Sequence, residues 1–529
     1  MIISLLSSTA FAQSVLVVDP ALGPYTTVTA ALSAAQPNDT LEIHPGTYAE
    51  QVTINVDGLT LQGTDRATVV LEADNIFNPA DGFMVADGVS LTVTDLTISG
   101  ALLHRALRLQ GASVTLERVD VRDGAFSGNG ALISADETST LTLSDVLLES
   151  GDAVFGRGGL IEMDGLLTAT HTTFRGGTTT REAGALYCSA TSTCNVSDSV
   201  FESNRAGDAG AAWLEGTAGA WRRNLFCDNE AFGGGATQGN GGAVWTTIDV
   251  LHDNSVFQDN RADNVGGAVY VAAGTTELIN DDLLGNLSLG DGAAVSVGVD
   301  GTLGLSNAVI AYSGGPSSVA VQQGAGTATI AYTAFHDNGA MAESDAALGA
   351  GVQPHGTATP LISYVAGDCA ATTVIPGIGS TLIDAGDPAV LDPDGSISDV
   401  GSTGGPSACN RNEAPGDGID ETCDGLELCW ADLDGDGLGE PLEDLIESPD
   451  LDCTATGEAD NPDDVCPGFD DAEDCDLDGV PDGCDPDVCS TGETGTTDTG
   501  TPPTDTGTPP TDGTEPQTGD TASDTDKGT

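Results

Sequence analysis

Basic residues are scarce in this chain: 14 Lys and Arg stand against 82 Asp and Glu, for a formal net charge of −68. Phosphate backbones are gripped by lysine and arginine faces. Nucleic acid is therefore excluded as a partner, and so is charge-driven adhesion to an anionic membrane. The only lysine is Lys527, in the terminal tail, which removes lysine-based catalysis from the body. Aromatic residues make up 4% of the chain, and the six histidines form no constellation. No stretch keeps a helical period between caps, and none beyond the first residues is apolar for long enough to span a bilayer. The surplus of carboxylates favours divalent cations instead.

What the chain does have is one line written ten times between residues 91 and 338. LTVTDLTISG, VTLERVDVRDG, LTLSDVLLESG and LTATHTTFRGG are the first four. The equivalent apolar position falls at Ile98, Val121, Leu148, Phe174, Phe201, Phe226, Phe257, Leu284, Ile310 and Phe335, at intervals of 23, 27, 26, 27, 25, 31, 27, 26 and 25 residues. Each unit is too short to bury its own apolar face, so units must stack. Apolar residues alternate with polar ones, as in Leu141-Thr-Leu143, which is the strand period. Gly, Asn and Asp clusters punctuate each line where a chain must turn. The frame of leucine-rich repeats is not kept. The pattern predicts an all-β fold, a right-handed parallel β-helix. At about 4.8 Å per coil, ten coils make a rod of roughly 50 Å before the end coils are added.

Residues 1–12 read as a signal sequence: Ile2, Ile3, Leu5 and Leu6 supply the apolar part, and Ala10-Phe11-Ala12 the cleavage pattern. Residues 13–75 form the entry. The run ALSAAQPNDTLEIHPGTYAE at 31–50 resembles the N-terminal cap of right-handed, pectate-lyase-like β-helices. That resemblance implies a short helix over 28–35 plugging the open end of the core, and it is silent about activity. Residues 76–406 are the coils, and their Gly/Asp-rich end at 380–406 resembles the last coil of bacterial secreted β-helices. Residues 407–489 are Cys- and Asp-rich. Residues 490–529, with TDTGTPP repeated, are too polar to fold and read as a disordered stalk.

Two submotifs recur in the middle coils. One is F-x-x-N, with Phe201 and Asn204, Phe226 and Asn229, Phe257 and Asn260, and Phe335 and Asn338. The other opens on a glycine at Gly184, Gly210, Gly242, Gly267 and Gly292, each followed by alanine. Asn at one corner of successive coils can ladder its amides up the stack and tolerates a left-handed backbone. The pairing resembles the polymorphic outer-membrane protein repeat, which implies a surface-exposed adhesive passenger. No membrane β-barrel follows the repeats, so self-translocation is not expected from this sequence.

Twelve cysteines fit an oxidising compartment. Cys188 and Cys194 are close enough across a turn to pair, Cys227 and Cys369 are isolated in sequence, and eight more crowd into 409–489, where zinc is the rival reading. The strongest chemical signal in that region is calcium. In DLDGDGLGEPLE, Asp432, Asp434, Asp436, Glu440 and Glu443 take positions 1, 3, 5, 9 and 12 of a calcium loop, with Gly437 at 6. Pro441 and the lack of flanking helices argue against a true EF-hand. DCDLDGVPDGCD, with Asp474, Asp476, Asp478, Asp482 and Asp485, resembles the thrombospondin type 3 calcium repeat. The run at 416–439 also resembles metal-binding repeats of myxobacterial secreted proteins. Such carboxylates repel one another unless a cation neutralises them. Asp392, Asp394 and Asp399 are weaker candidates that turn duty explains almost as well.

No catalytic residue is assigned. Arg105, Arg108, Arg118 and Arg122 cluster on two early coils and Asp281-Asp282 sit on a later one, but the lyase, galacturonase and esterase signatures are missing. A solvated or carboxylate-paired surface is the better account of these arginines. Tyr187, Trp213, Trp245 and Tyr270 occupy one repeat position on four successive coils. Facing out they form a ligand-stacking strip, and facing in a core stack. They share a side with Ala185, Ala211, Ala243 and Ala268, which points inward. The insertion at 233–242 makes the longest interval and is the expected protruding binding loop. The expected protein is exported to a bacterial surface or beyond, associated with it peripherally or through the stalk. It is calcium-stabilised and non-catalytic, displaying its lateral face to a polysaccharide or cell-surface partner. The alternatives are a calcium-dependent polysaccharide lyase and a structural envelope component.

Overall fold

The computed structural model describes residues 13–73, 82–100, 104–233, 238–316, 319–339, 342–360, 362–377, 379–393 and 395–408, together with parts of 427–459. The chain winds into a right-handed parallel β-solenoid of about 12 turns. Each coil contributes strands to three main columns, and each strand pairs in parallel with its counterpart one coil on. The first column runs from Val15–Val18 and Thr40–Ile43 to Thr327–Ala331. The second runs from Gly46–Ala49 to Ala334–His336. The third runs from Val52–Ile54 through Leu186–Cys188 and Ala212–Leu214 to Ala342–Ser344. A fourth set of two-residue strands, Ala125–Phe126 to Leu287–Ser288, lines one corner. Among the described residues no helix is long and apolar enough to cross a membrane.

The corners explain the Asn and Asp punctuation. At the bend between the first and second columns, Asp95, Asp145, Asp198, Asn254, Asn280 and Asn307 all hold φ between 49° and 57°, a left-handed region these side chains tolerate. Arg118 and Arg223 take the same corner at φ 52° and 50°. An ion pair to the coil below holds each in place, Arg118 Nε to Asp95 at 2.8 Å and Arg223 Nε to Asp198 at 2.5 Å.

Inside, like stacks on like. Phe174, Phe201, Phe226 and Phe257 are fully buried, with successive ring centroids 4.4, 4.8 and 4.6 Å apart. The Asn of F-x-x-N runs beside them. Nδ2 of Asn204 donates to Oδ1 of Asn229 at 3.0 Å and to the Phe174 carbonyl at 2.8 Å, and Asn229 and Asn260 repeat both bonds on their own coils. A second polar ladder passes backbone N–H groups to Ser199, Asn224, Ser255 and finally Asp281. His252 is buried against the edges of Trp221, Phe226 and Phe257, and burial pushes its pKa down to about 3, so it stays neutral. One position of the repeat differs from expectation: Phe257 pairs with Leu283, and Leu283 with Ile310, so the inward residue is Leu283 rather than Leu284. Asn286, three residues on, carries the ladder there.

The entry is plugged as expected, by a helix at Val28–Leu32 whose Val28 and Ala31 are buried in the core. Glu50, the end of the G-T-Y-x-E run, accepts from the Val28 and Thr29 N–H groups at 2.8 and 2.9 Å. A carboxylate at the helix start is the motif's job here.

Among the described residues the Gly/Asp-rich end adds no strand to the columns. Residues 357–408 run back along the outside of the second column as a strap. Cys369 is bonded to Cys227, Tyr364 donates to Asp259 at 2.5 Å, and Asn254 Nδ2 donates to the Ser402 and Gly404 carbonyls. Beneath the strap the outward-facing Leu284, Val309, Ala311 and Ala334 make a second small core with Ala358, Leu382 and Val400. Cys188 pairs with Cys194, and Cys429 with Cys453 pins a small antiparallel sheet of Glu427–Ala431, Ile446–Ser448 and Glu458–Ala459.

Candidate functional site

The third column is the face on which recognition chemistry gathers. Its middle residues pair coil by coil: Arg108 with Ser134, then Glu162, Tyr187, Trp213, Trp245, Tyr270 and Ser296. On each strand the flanking residues, such as Leu186 and Cys188 or Ala212 and Leu214, belong to the core. Alternation therefore turns the middle residue outward. The inward reading of the aromatic column is thus corrected. The alanines of the glycine motif sit at the corner, where the strand period has not yet begun, so sharing their parity does not mean sharing their side.

The outward rings stack along the rod. Trp213 and Trp245 lie 3.4 Å apart at 10°, Tyr187 and Trp213 6.3 Å apart, and Trp245 and Tyr270 6.4 Å apart with a 47° tilt. Their edges, rather than their faces, meet solvent. Tyr187 is 1% exposed although it points out. The Arg157 guanidinium lies 4.3 Å over its ring, and its hydroxyl takes a 2.6 Å bond from Arg157 Nη1 and gives a 2.7 Å bond to Glu215. Burial, and then the bond to Glu215, push the Tyr187 pKa up.

Below Tyr187 lies Glu162, 9% exposed. It accepts from Asn129 Nδ2 and from Ser134 Oγ. Burial raises its pKa, Asp164 adds to that, and the Asn129 bond, Arg157 and Arg105 oppose it. Arg105 itself is buried, donating to the Asn129 and Gly130 carbonyls at 2.6 and 2.8 Å. A carboxyl held toward its neutral form beside arginines and a tyrosine is the kind of group that binds or transfers a proton. Along the same rim Asp208, its pKa raised by burial, receives Asn240 N and Nδ2 at 3.0 Å. This ties down one end of the 233–242 insertion; residues 234–237 lie outside the described residues.

Other expected residues fall elsewhere. Of the four early arginines, Arg105 and Arg108 belong to this face. Arg118 sits at the opposite corner with Asp95, and Arg122 lies on the second column, 3.7 Å from Asp123. They form no single cleft. Asp281 and Asp282 are buried, Asp282 holding Ser402 of the strap. Asp392 accepts from the Asp399 and Gly405 N–H groups and Asp399 from that of Asp384, so they tie separate stretches of the strap together. Asp394 lies outside the described residues, and of the ten calcium candidates only Asp432 lies within them. Arg157, Glu162, Asn129 and Glu215 were missed in the sequence. The repeat register, counted from Tyr187 back one coil, was the signal that would have found Glu162.

No protein-family model matches the chain. It is 26% identical over 277 residues to the probable autotransporter YfaL of Escherichia coli (strain K12), covering 49% of this chain and 20% of that relative, so it spans about a fifth of the relative's length. Among solved structures it is similar to pectate lyase Pel9A, at 15% identity over 74% of this chain and 96% of that one, with a TM-score of 0.36. A pectin methylesterase from Yersinia enterocolitica follows at 12% identity over 50% and 79%, with a TM-score of 0.26. A carrot pectin methylesterase stands at 14% over 56% and 82%, with a TM-score of 0.24.

Proposed function

We propose that this protein is an exported, surface-associated β-helical rod that binds an extracellular polysaccharide or cell-surface partner through its third column. The observation that carries the reading is the contrast in cover. The strap lies over the outer side of the second column, while Trp213, Trp245 and Tyr270 on the third remain half-buried under no described segment. The autotransporter relative supports export and surface exposure. The test is retention of the full chain on whole bacterial cells and extracted envelope polysaccharides. Saturable retention that falls when Trp213 and Trp245 are both replaced by Ala supports the reading, and absence of retention refutes it.

In this proposal calcium sits at the two Asp-rich runs, ordering 407–489, since the oxygens at 432–443 follow the spacing of a calcium loop. Calorimetric titration with calcium would give a saturable heat that Asp434→Asn with Asp436→Asn reduces. A second reading, an enzyme acting on glycans, is favoured by one observation, the buried Glu162 with its raised pKa beside Arg157. Release of new reducing ends or unsaturated products from a polysaccharide panel, lost in Glu162→Gln, would establish it.

A further inference from the structure

Arginines on the coils are matched to carboxylates. Arg66 meets Asp120, Arg175 meets Glu149, Arg205 meets Glu230 and Arg223 meets Asp198, all at 2.5 to 2.8 Å. Arg157 has no such match among the described residues. No carboxylate among the described residues lies within ion-pairing distance of it, in a chain with a net charge of −68. Its stacking on Tyr187 and the 2.6 Å bond to that hydroxyl use one of its N–H donors and fix the plane of the rest. Its backbone is fixed too, since Arg157 N donates to Asn129 Oδ1 at 3.1 Å and Gly130 N to its carbonyl at 2.9 Å. The same Asn129 holds Glu162. Two residues before Arg157, on the same turn, Phe155 is 71% exposed.

The three side chains offer complementary chemistry. Phe155 presents a free ring face, Arg157 spare in-plane donors, and Glu162 a carboxyl that accepts and, when protonated, also donates. An anionic sugar approaching here would meet Glu162, Glu182 and Glu215 as well as the field of the whole chain. A cation would meet Arg105 and Arg157. An uncharged, hydroxyl-rich ring meets neither penalty. Its C–H face covers Phe155, and its hydroxyls bridge Arg157 and Glu162, satisfying donors that the protein leaves open.

We propose that Phe155, Arg157 and Glu162 form a subsite for an uncharged sugar residue of an extended glycan lying on the third column. The inference rests on the reading of that column as a binding face. The full chain is titrated with oligosaccharides derived from cellulose, mannan and starch, and with uronate oligosaccharides, by calorimetry. Saturable binding of at least one neutral oligosaccharide is expected, weakened about tenfold or more in Phe155→Ala and in Arg157→Met, with uronate oligosaccharides binding more weakly. Phe155 lies outside the core, so its replacement leaves the fold intact, which circular dichroism checks. Failure of every neutral oligosaccharide to bind, preference for uronates, or binding indifferent to both substitutions overturns the subsite. Retention on cells that persists in both variants overturns the subsite while sparing the surface reading. Loss of cell retention by the unaltered chain removes that reading too.

Discussion

Phe174, Phe201, Phe226 and Phe257 stack inside the rod with no exposure, while Tyr187, Trp213, Trp245 and Tyr270 stack outside it on the third column, over overlapping coils. Both sets keep one ring per coil, so period alone does not distinguish them. What does is the strand alternation around each ring and what accompanies it. The inner rings are flanked by an Asn ladder that satisfies buried backbone carbonyls. The outer rings are flanked by Arg157, Glu162 and Glu215. An inner column can only hold coils together; an outer one also presents chemistry to whatever comes alongside.

The comparison can be broken at several points. Phe226→Ala empties a fully buried site between two stacked rings, and a loss of about 3–5 kcal/mol is expected in urea unfolding. Trp245→Ala on the outer column, measured the same way, is expected to cost roughly 1 kcal/mol, since it removes mainly a stacking contact. Equal costs would mean that both columns are core. Cys227→Ser with Cys369→Ser releases the strap from its covalent tie, with an expected loss of about 2–4 kcal/mol and new proteolytic cleavage confined to 357–408. Asn229→Ala leaves the Asn204 amide and the Phe201 carbonyl each short of a partner, at about 1–3 kcal/mol.

The last effect is in pH dependence. Burial raises the Asp282 carboxyl to about 6, against hydrogen bonds from Ser402 that lower it. A carboxyl whose folded pKa is raised binds its proton more tightly in the folded state. Its contribution to stability is therefore fully present below the unfolded value and is lost as pH rises through about 4 to 6, at no more than about 1.4 kcal/mol per pH unit. Asp282→Asn is expected to flatten that part of the stability profile. An unchanged slope would show that Asp282 is not buried under the strap.

Much of this was legible in the sequence. The repeat, the strand period, the capping helix, the Asn ladder and the Cys188–Cys194 pair follow from spacing and from residues with one physical use. The side of the aromatic column was not legible, because Gly184 and Ala185 turn a corner before the strand begins and parity counted across a corner is meaningless. The strap was equally hidden. Asp and Gly at 380–406 mark turns whether the chain closes a coil or runs along its side, and the apolar residues it covers, Leu284 and Val309, read as ordinary strand residues. Arg157 and Glu162 carry no motif of their own; the stacking of Arg157 on Tyr187 and the place of Glu162 one coil from it in the register make them a site.

The most direct test of the central claim, that the third column is the binding face, is hydroxyl-radical footprinting of the full chain with and without an insoluble envelope polysaccharide that retains it. Protection is expected at Phe155, Trp213, Trp245 and Tyr270, with Val365 and Leu391 of the strap unchanged. Protection of the strap residues with the aromatic column still fully reactive would contradict the account.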